Sequence, residues 1–222
     1  MTATEADQNT LRALEGLRSE SSSVRLRAAM AIGTSPDPRT VDGLVERCAV
    51  EPEFSVREVL TWALTRHPPA STVPKLVDEL GSRRAQARSQ ALHTLSKIAD
   101  RRAWPAITRE LLTDADDEVA RSAWRAAVVL VPDGAEPGLA AVLATQFGRG
   151  GREVQLSLSR ALIALGDAIV PILCAAAADP DPRVRRHAAA TERLLRDPDS
   201  GFELAVEEAK RAVALGPPGR EG

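Results

Sequence analysis

Hydrophobic and polar positions along this chain follow a helical period that restarts at intervals. Small or aliphatic residues recur at a register mark and at four, seven, eight and eleven positions on, as in Val56, Leu60, Ala63 and Leu64, or Val154, Leu158, Ala161, Leu162 and Leu165. That spacing puts them on one face of a helix. With Val24, Val56, Ala87, Val119, Val154 and Val184 as marks, the segments SVRLRAAMAIG, SVREVLTWALT, QARSQALHTLS, EVARSAWRAAV, EVQLSLSRALI and RVRRHAAATER align, and the unit repeats every 30 to 35 residues.

A second helix is predicted in every complete unit. The tripeptides PKL at Pro74, PAI at Pro105, PGL at Pro137 and PIL at Pro171 align with DGL at Asp42, and each opens a segment with its own apolar stripe. Proline suits the first helical position, where its missing N–H has no intrahelical partner to lose. Turn residues separate the two helices, as in TSPDPRT, ADRRAW and VPDGAE. The expected organisation is a tail over residues 1–8, one domain over 9–215 and a second tail over 216–222. The domain comprises a lone helix near Thr10 to Arg18, five helix pairs and a sixth unit ending near Leu215.

Such units cannot bury their apolar faces singly and are expected to stack into an α-solenoid. The pattern V-R-x-x-A-A, then D-P-R, then V-P-x-L resembles the HEAT repeat in its short bacterial form, most clearly at SSVRLRAAMAIGTSPDPRTVDGL and DPDPRVRRHAAA. The resemblance implies an all-α, right-handed superhelix of about six helix pairs. It also implies that the repeated arginine, here Arg25, Arg57, Arg88 and Arg185, pairs with loop acids of neighbouring repeats. Unit four carries Ala120 at that position, and the last unit has Thr191 and Glu192 where core residues are expected, as suits a terminal repeat.

Composition narrows the functional classes. The 222 residues are 44% hydrophobic, 27% charged and only 3% aromatic, with a formal net charge of −2. That balance is no electrostatic magnet for phosphate and argues against nucleic acid as partner. No apolar run has the length of a membrane span and MTATEADQNT lacks the regions of a signal peptide, so a cytoplasmic protein without membrane attachment is expected.

Candidate chemistry is sparse. His67, His93 and His187 fall at different repeat positions, and neither Cys48 nor Cys174 lies at ligand spacing from a histidine. Cys48 takes a slot held elsewhere by Leu80 and Leu111, which reads as core. No catalytic residue, metal or cofactor is therefore expected. HEAT-like DNA glycosylases supply the alternative reading, and that family uses concave aromatic residues. Of the tryptophans here, Trp104 aligns with core positions, whereas Trp62 and Trp124 fall on first helices, expected to form the outer layer.

The preferred reading is a non-catalytic scaffold that binds another protein or peptide in its concave groove, as a monomer or homodimer. A rotation of about 100° per residue turns Lys75, Asp78 and Glu79 away from the apolar stripe of their helix. Gly43, Glu46 and Arg47 correspond in the first unit; Arg109 and Glu110 in the third; Ala141 and Val142 in the fourth; Ile172, Ala175 and Ala176 in the fifth. The groove thus runs from charged to apolar, and its occupant is either an external partner or an internal cover, from the segment after Phe202 or a second copy. A second candidate surface comprises Met30, Trp62 and His93, which share one position of the first helices.

Overall fold

The structure, a computed structural model, describes residues 3–197. The sixth unit's second segment, from Phe202, and the C-terminal tail lie outside the described residues. Among those described, the secondary structure is entirely helical. The helices fall in two compact units that divide after Leu143.

In the first unit, α1 (Ala3–Gly16) precedes the first helices α2 (Ser22–Thr34), α4 (Phe54–Thr65), α6 (Ala85–Ile98) and α8 (Asp117–Leu130). Between them lie α3 (Val41–Cys48), α5 (Pro69–Glu79) and the single turn α7 (Arg109–Leu112), with α9 (Glu136–Ala144) at the end. Helix α2 packs on α4, α4 on α6 and α6 on α8, while α3 packs on α4 and α5, and α5 on α6. Leu60, Leu64, Leu92, Leu95 and Leu130 from the first-helix stripes are fully enclosed. Each such leucine contributes about 1.5–3 kcal/mol by leaving water. Ala87, Ala91, Ala120, Ala123 and Ala127 are buried on α6 and α8, where small side chains let backbones approach closely.

The second unit contains α10 (Arg152–Ile163), α11 (Val170–Ala177) and α12 (Pro182–Arg196), with α12 packed on both of the others. Leu158, Leu162 and Ile169 form its fully buried centre.

Several boundaries differ from expectation. Helix α1 begins at Ala3, inside the stretch assigned to a tail. Helix α5 starts at Pro69, so Pro74 lies within it. Pro69 already supplies the preset φ at the helix start, and Pro74 omits one backbone bond further in. Around Pro105 the chain forms a 3-10 turn, Arg101–Ala106, before the short α7. There Ala103 and Ile107 take the core positions and leave Trp104 half-buried. Trp124, expected on the outer side, is fully buried and donates its indole N–H to the Leu112 carbonyl at 2.8 Å. Thr191 fills its core slot by hydrogen bonding, whereas Glu192 is exposed.

Candidate functional site

The repeated arginines belong to a device that recurs at four of the six register marks, Val119 being followed by Ala120 and Val154 by Gln155 instead. Five residues before the register mark, a short polar side chain caps the N–H two residues on. Ser19 accepts from Ser21 at 3.2 Å, Glu51 from Glu53 at 3.0 Å, Asp114 from Asp116 at 2.9 Å and Asp179 from Asp181 at 2.8 Å, with Ser82 to Arg84 longest at 3.4 Å. One residue after the mark, the arginine reaches back over the same loop. Arg25 Nη1 donates to the Ser19 and Glu20 carbonyls, Arg57 to those of Glu51 and Pro52, Arg88 to Ser82 and Arg185 to Asp179 and Pro180, at 2.7–3.0 Å. The fork thus satisfies carbonyls that no helix pairs.

The other edge of the guanidinium links neighbouring units. Arg25 Nε and Nη2 each lie 2.7 Å from the Glu51 carboxylate, and Arg88 Nε and Nη2 lie 3.1 and 3.2 Å from Asp114. Both are bidentate pairs, the strong form of the interaction. Arg47 adds a second cation to Glu51 at 2.7 Å, and the Glu51 side chain is entirely buried. Burial alone would push that carboxyl up; hydrogen bonds from Arg25, the Glu53 N–H and Arg47 overcome it and hold the pKa at about 2. Beside this group, burial pushes the Cys48 thiol up to about 12, which suits a core residue and not a nucleophile.

The expected groove residues are only partly arranged as anticipated. In the first unit, Lys75 and Asp78 are exposed and Glu79 is half-buried, and Lys75 pairs with Asp42 of α3 at 3.0 Å. Arg109 and Glu110 are exposed on the single turn α7. Ala141 is exposed and Val142 half-buried on α9. Gly43, Glu46 and Arg47 line a small pocket of 140 Å³ with Leu14, Leu17 and Val50. In the second unit, Ile172 is half-buried and Ala175 exposed, but Ala176 is buried and belongs to the core. Alanine is small enough to face either way, and Leu173, three residues earlier, turns this side of α11 inward. A wider cleft of 770 Å³ was not foreseen: Asn9, Ala13 and Gly16 of α1 line it together with Val24, Arg27 and Ala31 of α2. The small residues of its lining are Ala13 and Gly16 on α1 and Ala28 and Ala31 on α2, each pair three positions apart.

Met30, Trp62 and His93 lie on the successively packed α2, α4 and α6. Met30 is 48% and Trp62 42% exposed. The Trp62 ring lies on Gly33 of α2, where a Cβ would come within 2.3 Å of it. His93 is half-buried, with Nε2 3.5 Å from Glu58, beyond ordinary hydrogen-bond length. Burial lowers its pKa, Arg125 and Lys97 reinforce that, and Glu58 opposes it.

The remaining histidines serve packing. His67 is buried, with Nδ1 donating to the Ala63 carbonyl at 2.8 Å and Nε2 3.0 Å from the Thr40 hydroxyl. His187 is buried in the second unit, where its Nδ1 accepts the Gly148 N–H at 3.1 Å. Its proton therefore sits on Nε2, which lies 2.9 Å from the Gln155 carbonyl and 3.2 Å from the Ser159 hydroxyl. This serine–histidine pair cannot act as nucleophile and base, because the nitrogen facing Ser159 already carries hydrogen. Ser159 bonds Thr191 at 2.7 Å, and Phe147 meets the His187 ring edge-on at 5.0 Å between centroids. Among the described residues, no three His, Cys, Asp or Glu side chains are grouped to hold a metal ion, and no helix is long and apolar enough to cross a membrane.

No protein-family model matches the chain, and no curated protein matches it.

Proposed function

We propose that this protein is a non-catalytic, HEAT-like α-solenoid that binds a partner protein or peptide along the face formed by its second helices. The observation that carries the reading is the repeated joint: the same cap, the same arginine fork and, twice, the same inter-unit carboxylate connect successive helix pairs. A chain that uses one joint at four of its six marks presents the intervening residues as a largely regular surface. On that surface Lys75, Asp78, Arg109 and Glu110 are exposed and carry both signs of charge, which suits selection of a partner's orientation. The polar groups that sequence reasoning weighed as chemistry, among them His67, His187 and Cys48, are engaged in packing instead.

The test is capture of binding proteins by the native chain and by an Asp78→Lys, Arg109→Glu variant of unchanged far-ultraviolet circular dichroism, with Trp62→Ala as a comparison on the first helices. Proteins kept by the native chain and by Trp62→Ala but lost from the charge variant support the second-helix face. Identical sets from native chain and charge variant overturn it. Nucleic acid retained at moderate salt would transfer the reading to the alternative class.

A further inference from the structure

The arginines of α2 and α6 reach the loop of the following unit, where a carboxylate meets each; the arginine of α4 has no such partner there. Glu51 stands five residues before the mark of its unit and meets Arg25; Asp114 stands at the same place and meets Arg88. For Arg57 the corresponding residue is Ser82. The loop geometry is retained there, since the Ser82 carbonyl accepts from Arg88 and its hydroxyl caps Arg84. Ser82 brings no carboxylate, and its hydroxyl is turned to the Arg84 N–H rather than to Arg57. The loop residues beside it are Arg83 and Arg84, both exposed, so this loop carries two cations and no acid. Among the described residues, no carboxylate pairs with Arg57; Glu53, on the preceding loop, is exposed.

Arg57 is nevertheless held in the orientation that its counterparts use. Its Nη1 is fixed by the Glu51 and Pro52 carbonyls at 3.0 and 2.7 Å. Gln86, at the start of α6, donates to the same Glu51 carbonyl at 2.8 Å, which brings the beginning of α6 alongside Arg57. The side chain stacks over the Phe54 ring at 5.7 Å, and Phe54 is 67% exposed, the most exposed large apolar residue of those described. A preset guanidinium fork loses little entropy on meeting a planar anion, and an open aromatic ring beside it offers an apolar contact.

We propose that Arg57 is a recognition seat for a side-chain carboxylate of a partner segment, with an adjacent apolar residue of that segment resting on Phe54. The partner's acid does for Arg57 what Glu51 does for Arg25 and Asp114 for Arg88. The seat lies at the joint between α4 and α6 and does not depend on which helical face binds the rest of a partner.

The test reads the arginine Nε–H resonances of the full-length protein by nuclear magnetic resonance, with acetyl-Leu-Asp-amide as probe, acetyl-Leu-Asn-amide as its uncharged isostere and inorganic phosphate at matched ionic strength. The expected result is a saturable shift of the Arg57 resonance with the aspartyl dipeptide alone, weakening as salt rises. Arg25 and Arg88 should not move, because their forks are already occupied. Ser82→Asp leaves the Arg57 loop contacts in place and supplies the carboxylate internally, so it should abolish the response and raise the melting temperature by roughly 2–4 °C. The proposal is overturned by an unmoved Arg57 resonance, by equal shifts at Arg25 and Arg88, by phosphate acting where the dipeptide does not, or by a response that survives in Ser82→Asp. None of these outcomes depends on the capture experiment, so the seat and the second-helix face can fail separately.

Discussion

The joint between α2 and α4 and the joint between α10 and α12 occupy the same place in the repeat and are stabilised by opposite means. In the first, Arg25 and Arg47 enclose the buried Glu51 carboxylate. In the second, Gln155 stands where Arg25 does and its side chain donates to the Gly150 carbonyl of its own loop, at 3.1 Å. The connection between helices has moved inward to neutral groups: His187 with Gln155 and Ser159, and Ser159 with Thr191. One helical framework therefore accepts either a charged or a neutral joint, provided every buried polar atom is answered. The two differ in what happens when a member is removed and in how they respond to acid.

The largest effect is expected at the charged joint. Glu51→Ala leaves Arg25 buried without its anion, at a cost of about 3–5 kcal/mol, read as a fall in the urea midpoint. Replacing both partners, as Arg25→Met with Glu51→Leu, should recover much of that loss, because the uncompensated charge then disappears. A single variant as stable as the native chain would show that the pair contributes nothing.

Acid should separate the joints in pH. Glu51 titrates from an ordinary value of 4.5 in the unfolded chain to about 2 in the fold, so its contribution is complete above 4.5 and is lost as pH falls toward 2. Allowing for solvent screening, the loss is on the order of 2 kcal/mol. His187 is also held below its free value of 6.5, chiefly by burial and against the hydrogen bond to Gln155. Its contribution is complete above 6.5 and begins to fall as pH drops through that value, because the unfolded imidazole takes up a proton first. Native protein should therefore weaken as pH falls from about one unit above the free histidine value to about one unit below it, and His187→Gln should weaken less over the same range; the remaining slope belongs to His93. Parallel curves for the two proteins would remove His187 from this account. At the upper end of that range the same substitution should cost about 1–2 kcal/mol for the disturbed hydrogen bonds.

A smaller effect is expected at the turn that carries the neutral joint. Gly148 has φ +79°, and a Cβ there would lie 3.3 Å from backbone atoms of Arg183 and Val184. Gly148→Ala should cost about 1–2 kcal/mol, measured by thermal unfolding, while moving the N–H that His187 accepts. The counterpart between α2 and α4 is Gly33→Ala, where the contact is with the half-open Trp62 ring, which can swing aside. A cost near ~1 kcal/mol with a shifted tryptophan emission is the expected result.

The helical framework was legible because periodicity is local: the stripe led by Val56, Leu60 and Leu64 announces its own buried face. The places where that reading failed involve residues whose local signal is ambiguous. Ala176 can lie on either side of a helix at little cost, and only the packing of α11 on α12 turned it inward. Trp124 shares a helix type with the exposed Trp62, yet the short α7 offers it a carbonyl and a space to fill. Proline marked the start of the second helices at Pro137 and Pro171, but Pro69 pre-empted Pro74.

By itself the sequence determined the helix-pair period, the capping loops and the positions of the repeated arginines, since each follows from contacts within a few residues. Which arginine meets a carboxylate was decided only in three dimensions. Arg25, Arg57 and Arg88 are equivalent as letters and share the loop hydrogen bond to the carbonyl six residues back. They differ because the partner of each comes from the next unit, 26 residues away for both Arg25 and Arg88, where Glu51 and Asp114 reach across and Ser82 does not. A long-range pair of this kind depends on side-chain length and on the approach of two helices, and neither is written in the spacing of one stripe.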